Sequence, residues 1–150
     1  IKAGKIKSFG VSNFSTSQID LLADKINIAH HQVEISLTNL SAFTNGVLDQ
    51  CQIKGIEAQS WSPLGENIYT EANPRNSSIL KEAAKLTKAY DATINQILLA
   101  FLYAHPANIT PVIGTTKIDR IVESKNAMHL TLSREDFYSL WIASTGEEIA

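Results

Sequence analysis

Cysteine occurs once in the 150 residues, at Cys51. No intramolecular disulfide is possible, which fits a reducing compartment, and a cytoplasmic location is the expectation. Cys51 falls in a helix-like stretch and reads as a small buried apolar residue rather than a nucleophile. No apolar run approaches the ~20 residues of a membrane span, and no signal-peptide pattern opens the chain, so no membrane partner is expected. Neither sign of charge is in excess: the formal net charge is −2 and the pI near 6.1, which gives no reason to expect nucleic-acid binding. Low-complexity tracts, sequence repeats and a dividing linker are also missing. An initiator Met is absent too, because Ile1 and Lys2 lead almost directly into a strand. The expectation is that the sequence starts part-way through a longer protein.

What is present suits one domain. The chain of 16.4 kDa is long enough to bury a core, and 44% hydrophobic with 19% charged residues is ordinary for a globular protein. Residues 5–11 (KIKSFGV) read as a strand, followed by a helix that Ser15, Thr16 or Ser17 can cap and whose apolar face carries Ile19, Leu22 and Ala23. Residues 30–35 read as a second strand, closing in a polar loop through Asn39. Residues 40–54 form a second helix, with Gly55 just past its end, and residues 56–61 a third strand. Residues 64–77 form a longer connection, the segment expected to move most. Ser78 starts a helix that runs to Tyr90. Thr93 opens another, apolar on most sides and expected to be buried, ended by His105-Pro106. Ser133 to Asp136 start a last amphipathic helix bearing Phe137, Leu140 and Trp141.

The most informative stretch is residues 110–126 (TPVIGTTKIDRIVESKN). An apolar run (Pro111, Val112, Ile113) breaks at Gly114 into Thr115 and Thr116, and Ile118, Ile121 and Val122 then return at helical spacing. Such a strand–turn–helix delivers backbone N–H groups, two hydroxyls and Lys117 to a helix N-terminus, where an anion is favoured. Arg120, one turn in, reaches back with a planar fork suited to phosphate. Two readings stand level on this stretch: a phosphate site, or a turn permitted by Gly114 with Thr115 or Thr116 capping a helix.

Alternation of strands and helices calls for a parallel sheet. Four βα units make either an open doubly wound sheet or half of an eight-stranded barrel. Ser12-Asn13, Gln32 with Glu34, Trp61-Ser62 and Gly114-Thr115-Thr116 all fall near the carboxyl ends of successive strands. Barrels build sites on that one face, whereas an open sheet gathers them at a single switch point. The placement favours the barrel.

Four segments carry a family resemblance. Residues 4–14 (GKIKSFGVSNF), 31–35 (HQVEI), 61–65 (WSPLG) and 111–123 (PVIGTTKIDRIVE) resemble, in order, the motifs of the aldo-keto reductases. Within that family the wording most resembles the YdhF-like bacterial oxidoreductases. The resemblance implies a (β/α)8 TIM barrel that binds NADP(H) across its carboxyl-end face and reduces carbonyls by hydride transfer. By motif match, Ser12, Asn13 and Gln32 would bond the nicotinamide carboxamide, and Trp61 would stack on the ring. Ser62, Leu64 and Gly65 would line the pyrophosphate path. Ile113 and Gly114 would lead to Thr115, Thr116, Lys117 and Arg120, which would hold the 2′-phosphate. Glu123 and Ser124 would approach the adenine edge, although the family usually has Asn where Ser124 stands.

The family's acid–base tetrad lies upstream of the GVSNF strand, where this chain begins. No residue here inherits a catalytic role or a metal. His30 and His31 read as a strand-start and a core histidine, Glu34 as a barrel-interior hydrogen-bonding group, and Tyr69, Tyr90, Tyr103 and Tyr138 as packing residues. The chain is thus expected to be the C-terminal half of a barrel of ~250 residues or more, with two unpaired sheet edges, partnered by the missing N-terminal half and by a small-molecule carbonyl substrate. A nucleotide-binding regulatory member and a half-barrel that acts only by association are the alternatives.

Overall fold

A computed structural model of the chain describes residues 1–70 and 73–148. Strand β1 (Phe9–Ser12) leads to helix α1 (Thr16–Ala23), then β2 (Ile28–Glu34), α2 (Ser41–Thr44), α3 (Val47–Lys54) and β3 (Glu57–Trp61). Helices α4 (Pro74–Tyr90) and α5 (Ile94–Tyr103) precede β4 (Thr110–Pro111), α6 (Ile118–Asn126), a 3-10 turn (Ala127–His129) and α7 (Arg134–Thr145). The strands form one parallel sheet in the order β1-β2-β3-β4. Each new strand is added on the same side of the last, as in a barrel under construction. A doubly wound sheet would reverse direction part-way, and this one does not.

Local chemistry accounts for the elements and for four departures from expectation. Ser15 caps α1 within a capping box closed by Gln18, and Thr93 with Gln96 does the same for α5. Strand β1 starts at Phe9 rather than at residue 5, because Phe9 is already paired with Ile28, the first residue of β2, which leaves residues 5–8 without a strand to pair with among the described residues. The single helix expected over residues 40–54 is two. Asn45 Oδ1 accepts from the Val47 N–H at 3.0 Å and Gly46 takes φ +83°, which turns the chain between α2 and α3. Helix α4 begins one turn before Ser78, since Asn73 caps it through the Asn76 N–H at 2.8 Å and Pro74 occupies the first position, where its missing N–H costs nothing. Glu71 and Ala72 of the expected mobile connection lie outside the described residues. Strand β4 is two residues long. Pro111 has no N–H to give, although the Val112 N–H still donates to the Ser60 carbonyl at 2.8 Å.

The sheet has two unlike faces. His31 and Val33 of β2 and Ile35 just after it, with Ala58 and Ser60 of β3, are buried beneath the helices. His30, Gln32, Glu57, Gln59 and Trp61 alternate with them onto the open face, the interior of a barrel. Strand β2 begins at Ile28, so His30 is a mid-strand residue rather than a strand start. Behind the sheet, α5 buries every residue from Ile97 to Leu102, as its all-round apolar pattern predicts. Phe101 stacks between Phe43 and Phe137, with centroids 5.7 and 4.6 Å away. Cys51 is 1% exposed, and burial pushes its thiol up to about 11, which makes it inert as a nucleophile. Helix α6 is different: Ile118, Ile121 and Val122 are all exposed, so its apolar stripe is uncovered among the described residues. No described helix is long and apolar enough to cross a membrane.

His31 makes fold stability pH-dependent. Its Nε2 accepts from the Phe14 N–H at 3.2 Å, and burial holds its pKa below the usual 6.5. Between the folded value and 6.5 the unfolded chain binds a proton that the folded chain does not. Stability therefore falls as pH drops through 6.5. Burial lowers His105 as well, with Asp49 opposing in part. The thermal midpoint is expected to fall between pH 7.5 and 5.5, and His31→Gln, which keeps an acceptor but cannot titrate, to flatten that fall. A midpoint that rises on acidification would contradict the assignment.

Candidate functional site

The carboxyl ends of the strands carry the unusual backbone. Asn13, directly after β1, and Ser62, directly after β3, both take positive φ (56° and 48°). Asn tolerates this conformation; Ser rarely adopts it, and such local strain concentrates at functional positions. The two turns are tied together, because the Trp61 Nε1–H donates to Asn13 Oδ1 at 3.0 Å. An indole N–H only donates, so the oxygen of the Asn13 amide must face it and the NH₂ faces away. The Asn13 N–H donates to the Gln32 carbonyl at 2.9 Å, and Ser12 Oγ–H donates to the same carbonyl at 3.0 Å. Three strand tips and one aromatic plate are thereby assembled into a single unit.

Next to Trp61 the chain enters a cleft of about 390 Å³. Ser62, Leu64 and Gly65 form one wall, and Ile113, Gly114 and Thr115 another. Arg120, Glu123 and Ser124 of α6 close the far end. Gly65 has φ +94°, and a Cβ there would lie 2.7 Å from Thr38 Oγ1, so the turn is compatible with glycine alone. Helix α6 starts at Ile118, and Lys117 at its N-cap position makes no side-chain cap. Neither threonine caps it: Thr115 Oγ1 accepts from the Lys117 N–H at 3.2 Å, which shapes the turn and leaves the first-turn N–H groups of the helix without a side-chain partner. An uncapped helix start beside Arg120 is a place for an anion.

Not every expected residue lines this cleft. Thr116 and Lys117 are exposed beside it. The Ser124 hydroxyl donates to the Arg120 carbonyl at 2.8 Å and is spent within α6. Glu123 Oε1 accepts from Thr93 Oγ1 at 2.5 Å, which fixes one carboxylate oxygen. Glu34 shares the open face with Gln32 and lines two neighbouring clefts, but its carboxylate makes no hydrogen bond within the described residues, unlike the role expected for it. Three lining residues were not foreseen: Pro63, Tyr69 and Asn95. Tyr69 O–H donates to Asn95 Oδ1 at 2.5 Å across the mouth, and burial, then the Glu123 carboxylate, raise its pKa above 10. Its place four residues after the WSPLG turn was the only available signal.

Comparison with known proteins follows this geometry. The 6-dehydroglucose reductase of Agrobacterium fabrum is 33% identical over 100% of this chain and 50% of its own length. The oxidoreductase YdhF of Escherichia coli is 29% identical over 99% of this chain and 50% of its own. Among solved structures, the thermostable aldo-keto reductase Tm1743 with the inhibitor epalrestat superposes at a TM-score of 0.81, with 25% identity, covering 95% of this chain and 50% of that one. The silkworm (Bombyx mori) aldo-keto reductase complexed with NADPH gives 0.75 at 26% identity, over 98% and 45%. The chain thus spans about half the length of the curated relatives it matches, and its parallel sheet and helices are about half of their α/β barrel. The sequence model of the aldo/keto reductase family matches residues 1–143, and the chain belongs to that family.

Proposed function

We propose that this chain supplies the NADP(H)-binding part of an oxidoreductase that reduces aldehydes or ketones to alcohols. The observation that carries the reading is the gathering of unlike chemistry at the carboxyl ends of adjacent parallel strands. A flat aromatic plate bonded to an amide lines one cleft, and a glycine turn with the arginine of an uncapped helix lines a neighbouring one. A dinucleotide offers the same sequence of chemistry: ring, amide, pyrophosphate, phosphorylated ribose.

In this reading Trp61 covers one face of the nicotinamide, so that only the other meets substrate. Asn13 presents its NH₂ to the carboxamide oxygen, with Ser12 and Gln32 serving the carboxamide NH₂. Ser62, Leu64 and Gly65 admit the pyrophosphate, because small side chains and backbone N–H groups permit close approach. Ile113 and Gly114 continue the groove to Thr115, Thr116, Lys117 and Arg120, which take the 2′-phosphate, the guanidinium contributing the geometric selectivity. Glu123 offers its free oxygen to the adenine edge, where Ser124 contributes least. Bound NADPH supplies the hydride. The chain's own residues bind, orient and shield; the groups that manage the proton, and the pocket for the carbonyl substrate, belong to the remainder of the barrel. The bare stripe of α6 supports such a partner.

Titration with NADPH tests the reading. Trp61 and Trp141 are the only tryptophans, and Trp61 alone lies at the site. NADPH is expected to quench fluorescence, with most of the quenching lost in Trp61→Phe and kept in Trp141→Phe. At a hundredfold excess over Kd it should stabilise the fold by about 2.7 kcal/mol. A folded protein showing neither quenching nor stabilisation would reject the cofactor assignment, and an association-only role would then replace it.

A further inference from the structure

A row of polar side chains crosses the open face of the sheet, and the cofactor reading uses only its last member, Gln32. Strand register sets His30 beside Glu57 and Gln32 beside Gln59. Gln32 Nε2 donates to Gln59 Oε1 at 3.2 Å. At its other end Gln59 Nε2 lies 3.4 Å from Glu57 Oε1 and 3.4 Å from His30 Nδ1. Glu57 Oε2 is itself 3.2 Å from His30 Nδ1, and His30 Nε2 is 3.3 Å from Ser8 Oγ, which anchors the row.

The order of donors along this row is forced. A carboxylate only accepts, so the end of Gln59 that meets Glu57 must be its NH₂. The oxygen of Gln59 is then turned toward Gln32 and requires an N–H from it. Gln32 in turn keeps its Oε1 free, and that atom has no hydrogen-bond partner among the described residues. Without the carboxylate, each amide is able to rotate by half a turn at little cost, since N and O exchange places with the same shape.

We propose that Glu57, acting through Gln59, sets which end of the Gln32 amide faces the nicotinamide carboxamide; both are positioning residues. The proposal rests on the cofactor reading above. Its consequence is a clamp of fixed polarity: Asn13, oriented by the Trp61 indole, offers a donor to the carboxamide oxygen, while Gln32, oriented by the row, offers an acceptor to the carboxamide NH₂. The recognised feature is therefore a primary amide, and a ring substituent that lacks N–H is discriminated against.

The test measures binding of NADPH and of its 3-acetylpyridine analogue, which carries a methyl group in place of the amide NH₂, by fluorescence titration of the intact protein. The unaltered protein should prefer NADPH by about tenfold, the scale of one unpaired buried partner. Gln59→Leu should narrow that preference to within about threefold, while 2′,5′-ADP, which reaches only the other end of the site, binds as before. Glu57→Gln narrows it less, by freeing both amides to turn, and serves in place of Gln59→Leu should that variant not fold. The double variant Glu57→Gln/Gln59→Glu should restore the preference, because it moves the carboxylate next to Gln32. An unchanged preference in the folded single variants, or no restoration in the double variant, overturns the proposal. If the unaltered protein binds neither NADPH nor 2′,5′-ADP, the cofactor reading itself has failed and the proposal falls with it.

Discussion

Arg120→Ala is expected to weaken NADPH by roughly 10- to 100-fold and to leave NADH within about twofold, because a hydrogen bond to a charged partner contributes about 1.5–3 kcal/mol. Arg120 lines the same cleft as the Gly114-Thr115 turn. In the proposed binding mode the 2′-phosphate, the one group that distinguishes the two cofactors, meets it there. The guanidinium is exposed, so part of its effect is screened, and the difference should shrink as salt is raised. Arg120→Lys keeps the charge and loses the fork, and an intermediate loss is expected. Dissociation constants for both cofactors at two salt concentrations check this. Equal losses for NADPH and NADH would remove Arg120 from the phosphate site.

Gly65→Ala is expected to lower stability by about 2–5 kcal/mol and to weaken NADPH in the protein that still folds. Two costs combine. An L-residue at φ +94° pays about 1–2 kcal/mol, and the new Cβ would stand 2.7 Å from Thr38 Oγ1 and 2.8 Å from Cγ2, an overpacking of about 1–3 kcal/mol. Thr38 cannot retreat freely, because its χ1 is stiff and its hydroxyl is bonded to Ser36 Oγ at 2.9 Å. Gly46→Ala separates the terms: Gly46 has φ +83° with nothing within 4 Å, so it pays the backbone cost alone. Denaturant unfolding of both variants should show Gly65→Ala as the costlier by at least about 1 kcal/mol. Equal costs would mean that the Thr38 contact does not constrain the turn.

Some of this was legible from residues alone. Helix α5 was, because six consecutive buried positions need an apolar pattern on every side. Its start was too, because Thr93 and Gln96 spell a capping box. The strand tips were legible because Asn13, Trp61 and Gly114 are odd residues at regular strand ends. What escaped depends on distance through space. The break at Asn45-Gly46 was hidden by helical spacing on both sides, and the early start of α4 by a Pro that reads as a loop residue until Asn73 is seen to cap it. Tyr69 and Asn95 meet across 26 positions of sequence, and Gln59 joins Gln32 across 27. Neither pairing has a local signature. The stripe of Ile118, Ile121 and Val122 has the spacing of a buried face but is exposed, since spacing reports that a face is apolar and not what covers it.

Amide hydrogen exchange with and without NADPH tests the central claim most directly, because it reads all the strand ends in one experiment. The account predicts that NADPH slows exchange together around Ser12-Asn13, around Trp61 to Gly65, and from Gly114 to Arg120, with the α4–α7 side of the molecule unaffected. Slowing confined to one of these segments, or centred on α4 and α7, would contradict it.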